Sequence, residues 1–449
     1  MKSKSKKKSK RIESFAVINP RAAGIDVGDT EMVVAVSADV IEENVRTFGT
    51  FTCDLEQIVL FLRACQVEQV ALESTGIYWV QLYAYLLKSG FAVILGNSRY
   101  IKNVSGRKND ENDAMWIQRL HSCGLISESF QPDSQTRALR DLMRHRRTLV
   151  QDQSRSLNRL IKALELMNIK VQTVISDIDG KTGRAIIEGI LAGERDATVL
   201  ASLADPRIKA SREVLIKSLQ GIWSDQQLFL LKQHYSIYQL LAQQIQQTDQ
   251  QVEYSVQLLL ASYNGGELPP VDYQQKRKRS WRKNAISFHA TAYLNGLLAT
   301  DLTQIPGISE LTALEFVSEV GKDMSKWPTE NHFTSWLNTV PNTKVSGGKI
   351  ISSKMMKKKH RAGQSLRMAA STLYRSNSPL GEFFRRKQAQ GGPSKAILAT
   401  ATKMAIAIYK MIQNKEPYQP NKMIDSQLKF KQTQIKKLET RLAKLKAAA

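Results

Sequence analysis

Five oxygen-bearing side chains stand out as a set that can do chemistry together. They are Asp26 in GIDVG, Glu73 in ALES, Asp110 and Asp113 in KNDENDAMW, and Ser346 in VSGGK. The acids are the unexpected part, because 65 Lys and Arg outweigh 41 Asp and Glu, for a net charge of +24 and a pI near 9.8. Carboxylates crowded into one volume repel unless a cation neutralises them, and an all-oxygen donor set selects a hard ion, Mg²⁺ or Mn²⁺. Two such ions can activate a nucleophile and stabilise the leaving oxygen of an in-line phosphoryl transfer. Taken singly, each acid has a plainer role: Asp110 or Glu111 can complement a helix dipole, and Asp26 can serve a turn. The joint pattern of two strand ends and a paired helix start favours the metal site, with Asp29 and Glu111 as solvated bystanders. Ser346 precedes two glycines and a lysine, which places its hydroxyl on an exposed, flexible loop. A serine hydroxyl is a poor nucleophile without a base, a metal or a cationic setting, and no histidine lies in this loop.

Periodicity outlines the scaffold that holds these groups. AAGIDVG reads as a strand ending in a turn, EMVVAVSA (31–38) as a second strand and VRTFGTFTC (45–53) as a third. DLEQIVLFLRAC puts Ile58, Phe61, Leu62 and Cys65 at helical spacing. QVALES (69–74) is a short buried strand. A helix with Trp79, Leu82, Tyr83 and Leu86 on one side stops at Gly90, and FAVIL (91–95) is another strand. KNDENDAMWIQRL then opens a further helix with Asp110 and Asp113 in its first turn, sharing a face at i and i+3. This order is that of a ribonuclease H-like α/β sheet over 15–130, in which the first and fourth strands lie side by side and the helix crosses their ends.

Before it, residues 1–14 form a basic arm suited to phosphate contact. Residues 131–260 read as helical, and Tyr238, Leu241, Ile245, Thr248 and Val252 make a short heptad seam. That seam fits either a self-folding hairpin or a coiled coil between subunits. Gly-Gly, Pro-Pro and KRKR mark 261–285 as an exposed basic linker. A second compact, mostly helical unit spans 286–416. Within it, QIPGISELTALEFVSEVG (304–321) resembles a helix–hairpin–helix whose Gly307 and neighbouring amides can face a phosphate. An ordinary helical hairpin fits equally well. Lys349, Lys357, Lys358, Lys359, Arg361 and Arg367 follow Ser346 as a basic patch. Residues 417–449 end the chain in a basic heptad tail carrying Ile435, Leu438, Leu442 and Leu445. A hydrophobic fraction of 42% supports real cores. No apolar run nears the ~20 residues of a bilayer span, so nucleic acid is the expected anionic partner rather than a membrane. Cys53, Cys65 and Cys123 show no metal-binding spacing and read as buried thiols of a cytoplasmic protein.

Together, GIDVG, LESTGIYW, RKNDENDA, IPGISELTA and the VSGGK…RAG…LR run resemble the DEDD transposases of the IS110 insertion-sequence family. The segment DIDGKTGRAIIEGILAGERD is similar to the IS1111 branch. The resemblance runs from about Ala22 to Ile412 in the family's order. It implies a RuvC-like domain with Asp26, Glu73, Asp110 and Asp113 as the metal-binding acids, and a C-terminal domain with Ser346 as nucleophile. It further implies DNA recombination through a serine–phosphate linkage, guided by an element-encoded bridge RNA that pairs with donor and target DNA. It also implies a dimer or tetramer as the working form and a cytoplasmic, nucleoid-associated place of action in a bacterium. The family commonly has threonine where Asn109 stands here.

Three rivals come from other classes. A metal-dependent RuvC-like nuclease or junction resolvase would use the same acids with water as nucleophile. An actin-like ATPase would need glycine-rich adenosine loops that the chain lacks, and GKTG (180–183) has Ile175 where a Walker loop needs glycine. A coiled-coil nucleic-acid scaffold would leave the acids idle.

Overall fold

A computed structural model describes residues 15–74, 76–103, 112–263, 283–357 and 360–420, with Gln432, Ile435, Glu439 and Thr440 beyond them. The basic arm, most of the basic linker, Asp110, Lys358, Lys359 and most of the heptad tail lie outside the described residues. The chain divides into two compact units, Met1–Gln131 and Pro132–Ala449. Among the described residues no helix is long and apolar enough to cross a membrane.

The first unit is a mixed α/β sheet. Its strands are β1 (Ala22–Val27), β2 (Met32–Ala35), β3 (Val45–Phe48), β4 (Gln69–Glu73) and β5 (Ala92–Gly96), in spatial order β3-β2-β1-β4-β5. Strand β2 is antiparallel to β1 and β3, while β1, β4 and β5 run parallel. Helices α1 (Thr52–Ala64) and α2 (Trp79–Lys88) connect them, followed by α3 (Ser98–Asn103) and α4 (Asp113–Ser122). Strand β1 is apolar along nearly its whole length because both its faces are covered. On one face Ala23, Ile25, Val27 and Leu72 pack with Ile58, Leu62, Leu82 and Leu86. On the other, Ala71 packs with Ile101, Trp116, Ile117 and Leu120. The third expected strand is shorter than the sequence suggested: it ends at Phe48, and α1 starts by Thr52.

The second unit is mostly helical. Helices α5 (Ser134–Leu166) and α10 (Asp225–Tyr263) form an antiparallel hairpin. Ser262 donates to Gln135 (2.7 Å) at one end, and Ser156 donates to the His234 carbonyl (2.9 Å) farther along. The seam from Tyr238 to Val252 therefore finds its partner within the chain, since Tyr238, Thr248 and Val252 are buried in this hairpin. Helices α6 (Val171–Val174), α7 (Lys181–Leu191), α8 (Ala197–Ser202) and α9 (Arg212–Leu219) close over its far end around Ile186, Ile190, Leu200 and Leu219. Then come α11 (Ala290–Leu298), α12 (Glu310–Val320), α13 (Glu330–Trp336), the hairpin β6 (Asn342–Ser346) and β7 (Lys349–Lys354), α14 (Arg361–Ser371) and α15 (Pro379–Asn414). Helix α15 kinks at Gly391 and Gly392, just before Pro393. An aromatic cluster of Phe316, Trp327, Phe333, Trp336 and Tyr409 holds α12, α13 and α15 together.

One ion pair ties the long hairpin to the segment leading into α11. Arg146 pairs with Asp249 at side-chain exposures of 4% and 3%, and also donates to the carbonyls of Asn284 (3.2 Å) and Ala285 (3.1 Å). Asp249 accepts in turn from the Ser287 amide (2.9 Å). The pair is thus supported by further hydrogen bonds on both sides, which is the condition for a buried pair to be tolerated. Asp249→Ala would strand the guanidinium in the core. A loss of about 3–5 kcal/mol is expected in urea unfolding. A change within ~0.5 kcal/mol would show that Arg146 finds water or another partner.

Candidate active site

The strand register brings two of the acids together. Residues 22, 24 and 26 of β1 alternate with the core-facing Ala23, Ile25 and Val27, so Asp26 lies on the opposite face, the one covered by α4. Ile25 pairs with Leu72 in parallel register, and one step farther Asp26 stands beside Glu73. Glu73 is 3% exposed at the end of β4, where it pairs with Gly96 of β5. Asp26 is half-buried.

The third acid arrives on α4. Gln118 donates to the Ala22 carbonyl (3.3 Å), and the backbone of Ala114 lies over Gly24, so the helix runs back along β1 with its N-terminus toward Asp26. Asn112 caps that end by accepting from the Ala114 amide (2.8 Å), and Asp113 is the first helical residue. The positive end of the helix dipole favours a carboxylate there. Among the described residues the helix begins at Asp113, and the expectation that Asp110 shares its first turn falls outside them.

Gly24 makes this approach possible. A Cβ at that position would sit 2.2 Å from the Gln118 amide nitrogen and 2.5 Å from the Ala114 carbonyl oxygen. Neither backbone atom can yield without moving the helix. Gly24→Ala is expected to push α4 outward and carry Asp113 with it. The expected cost is about 1–3 kcal/mol in stability, read by urea unfolding. Wild-type stability in this variant would show that the close approach of α4 to β1 is not critical.

The donor chemistry facing this end of the sheet is that of a hard-cation site. Asp26, Glu73 and Asp113 offer only carboxylate oxygens on one face at one end of the sheet, a set suited to Mg²⁺ or Mn²⁺ and unsuited to soft metals. Among the described residues no group of three or more His, Cys, Asp or Glu side chains is gathered closely enough to hold an ion. Asp26, Glu73 and Asp113 thus share a face and an end of the sheet without forming such a group by themselves.

Ser346 is placed differently from the expected flexible loop. It ends β6 and pairs with Lys349 across a two-residue turn, Gly347 and Gly348, both with positive φ (+56° and +75°). Two successive positive φ angles define the primed turn that joins tight hairpins, and glycine meets that demand without steric cost. All of β6 is exposed, so the hydroxyl stands at the tip of a free-standing hairpin with Lys344 and Lys349 close along the chain. Val345, Ile350 and Ile351 are 59–70% exposed on the same hairpin.

The remaining expected contacts fall as follows. Lys349 and Arg361 are exposed, and Arg367 is half-buried with its Nε donating to the Gly363 carbonyl (3.2 Å). Gly307 has φ +90°, and a Cβ there would meet the Ala369 carbonyl at 3.0 Å, so turn geometry and packing already require glycine. Cys65 and Cys123 are buried free thiols as expected, whereas Cys53 is exposed because it lies in the first turn of α1. Arg144 and Arg147 of α5 carry no mark in the sequence, yet they meet Arg361 in space. No spacing signal links positions so far apart in the chain.

Residues 23–169 match the family model of the DEDD transposase of IS110, and residues 299–385 match that of the transposase IS116/IS110/IS902 family. The chain belongs to the IS110 transposase family. The first match of this transposase contains Asp26, Glu73, Asp110 and Asp113, and the second contains Ser346. No curated protein sequence matches it significantly. DNA is therefore its substrate class, and DNA transposition or recombination its activity.

Proposed function

We propose that this transposase cuts and rejoins DNA through a covalent serine–phosphate intermediate formed on Ser346, at a RuvC-like carboxylate site. The observation that carries the reading is the register that sets Asp26 beside Glu73 on the face crossed by α4. The order β3-β2-β1-β4-β5, with β2 alone reversed, supports the ribonuclease H-like assignment. Asp26, Glu73, Asp113 and Asp110 would hold Mg²⁺ or Mn²⁺, which when bound supplies charge neutralisation for the scissile phosphate and the departing oxygen.

The residues of the chain do the rest. Lys344 and Lys349 attract the phosphodiester to the hairpin tip and favour loss of the Ser346 proton. The Oγ–P bond forms as the P–O3′ bond breaks. The departing O3′ takes up a proton, which leaves a 5′-phosphoserine link and a free 3′-hydroxyl. Because one phosphoester replaces another, the reverse attack by a different 3′-hydroxyl rejoins strands without an energy source. A guide RNA of the bridge type selects donor and target by base pairing. Lys349, Lys358, Lys359, Arg361 and Arg367, with the Gly307 turn, grip backbones without reading bases. The exposed Val345, Ile350 and Ile351 support association with further subunits as a dimer or tetramer, and the DIDGKTGRAIIEG segment supports the IS1111 branch.

The rival using the same acids is hydrolysis by water. Incubating the full chain with its copurified RNA, cognate DNA and Mg²⁺, then denaturing, separates the two. Serine chemistry leaves a protein–DNA species that survives denaturation, and hydrolysis leaves none. Sequencing the copurified RNA tests guidance: one defined species supports it, and a random cellular mixture removes it.

A further inference from the structure

Arg147 of α5 and Arg361, the first residue of α14, face one open concavity shared with Arg144, Glu315, Glu319 and Ser365. The carboxylates in it are already committed. Glu319 accepts both arms of the Arg144 fork (2.8 and 2.8 Å) and pairs with the buried Arg140 (3.4 Å). Glu315 accepts from the Ser365 hydroxyl (2.6 Å). Among the described residues, no carboxylate lies within ion-pair distance of Arg147 or Arg361. Partial desolvation where its otherwise exposed side chain enters the concavity, followed by the positive charges of Arg144 and Arg147, holds the Arg361 guanidinium below its ordinary pKa against the partial relief from Glu319 and Glu315. The N-terminus of the eleven-residue α14 adds its positive dipole end to the same place. The result is a pair of forked donors held in mutual repulsion, with the nearby anions spent on other partners.

We propose that this concavity seats one or two backbone phosphates of the bound nucleic acid, with Arg147 and Arg361 as its donors. Guanidinium forks match phosphate oxygens bidentately, and a bound phosphate removes the repulsion between them. The seat opens to solvent, as a polymer backbone requires, and its wall is fixed by Glu319 on Arg140 and Arg144 and by Glu315 on Ser365. Arg144 and Arg147 lie on the same helix as the buried Arg146 anchor, so the donors are carried by a rigid element. The inference rests on the nucleic-acid recombinase reading for the source of the phosphate, and either the DNA or the guide RNA supplies the same chemistry.

The test uses the full chain and two probes, a random-sequence DNA duplex and a structured RNA hairpin, with dissociation constants measured across a salt series. Each phosphate contact contributes a slope of about −0.9 in log K against log salt for duplex DNA. R147A and R361A are each expected to flatten that slope by about one unit, and the double variant by about two, on at least one probe. Flattening on DNA alone assigns the seat to DNA, and on RNA alone to the guide. The charge-preserving pair R147K/R361K should keep most of the slope. An unchanged slope on both probes in the folded single variants would overturn the seat. Adduct formation by the wild-type chain is read separately: absence of adduct with a flattened slope removes the recombination mechanism and leaves the seat standing.

Discussion

Ser346→Ala is expected to abolish the denaturation-resistant protein–DNA adduct while DNA and RNA binding stay within about twofold of wild type. The hydroxyl sits at an exposed hairpin tip, with no packing role to lose, so the fold should be indifferent to the change. Removing a covalent nucleophile costs far more than removing a contact; losses of ~10³-fold or greater are the rule for serine chemistry. Ser346→Cys would retain a nucleophile of different pKa and size, and should form adduct weakly or not at all. Undiminished adduct in Ser346→Ala would move the chemistry to another residue. A variant that loses adduct but still cleaves at the same site would instead point to water, and to the nuclease reading.

Glu73→Gln should separate the metal from the fold. The side chain is 3% exposed and the amide keeps its shape, so the substitution removes the carboxylate ligand with little change in packing. In the wild type, Mg²⁺ bound only by the folded state should raise the unfolding temperature. At one hundred times the dissociation constant that linkage amounts to about 2.7 kcal/mol. The variant should lose this increment together with strand cleavage. Paired thermal unfolding curves with and without MgCl₂ measure it directly. An Mg²⁺ response equal to wild type would exclude Glu73 as a ligand, whatever the activity did.

The parts of this arrangement legible in sequence are those set by local pattern. Strands β1, β4 and β5 are short apolar runs closed by polar or turn residues, and Asp26 and Glu73 are recognisable as the acids at two of those ends. The helix start is harder to read because KNDENDA offers two asparagines as caps. Neither Asn109 nor Asn112 has a Glu or Gln three residues on, so no capping box distinguishes them in the sequence, and among the described residues Asn112 caps α4. The Ser346 hairpin is hidden for a different reason: its strands are exposed on both faces, so no alternation of apolar and polar residues marks them. The heptad seam of α10 is visible as a seam, but periodicity carries no record of whether the partner helix is in the same chain. The meeting of Arg147 with Arg361 depends on α5 and α14 both packing on α12, which no local pattern encodes.

The most direct measurement is the chemical identity of the linked residue. The trapped adduct, digested with nuclease and trypsin, should yield the peptide Val345–Lys349 bearing a residual nucleotide on its one hydroxyl amino acid, detectable by mass spectrometry. Finding the nucleotide on Ser346, with formation dependent on Mg²⁺ and lost in Glu73→Gln, is the expected result. A nucleotide on any other residue, or an adduct that forms equally well without divalent ions, would contradict it.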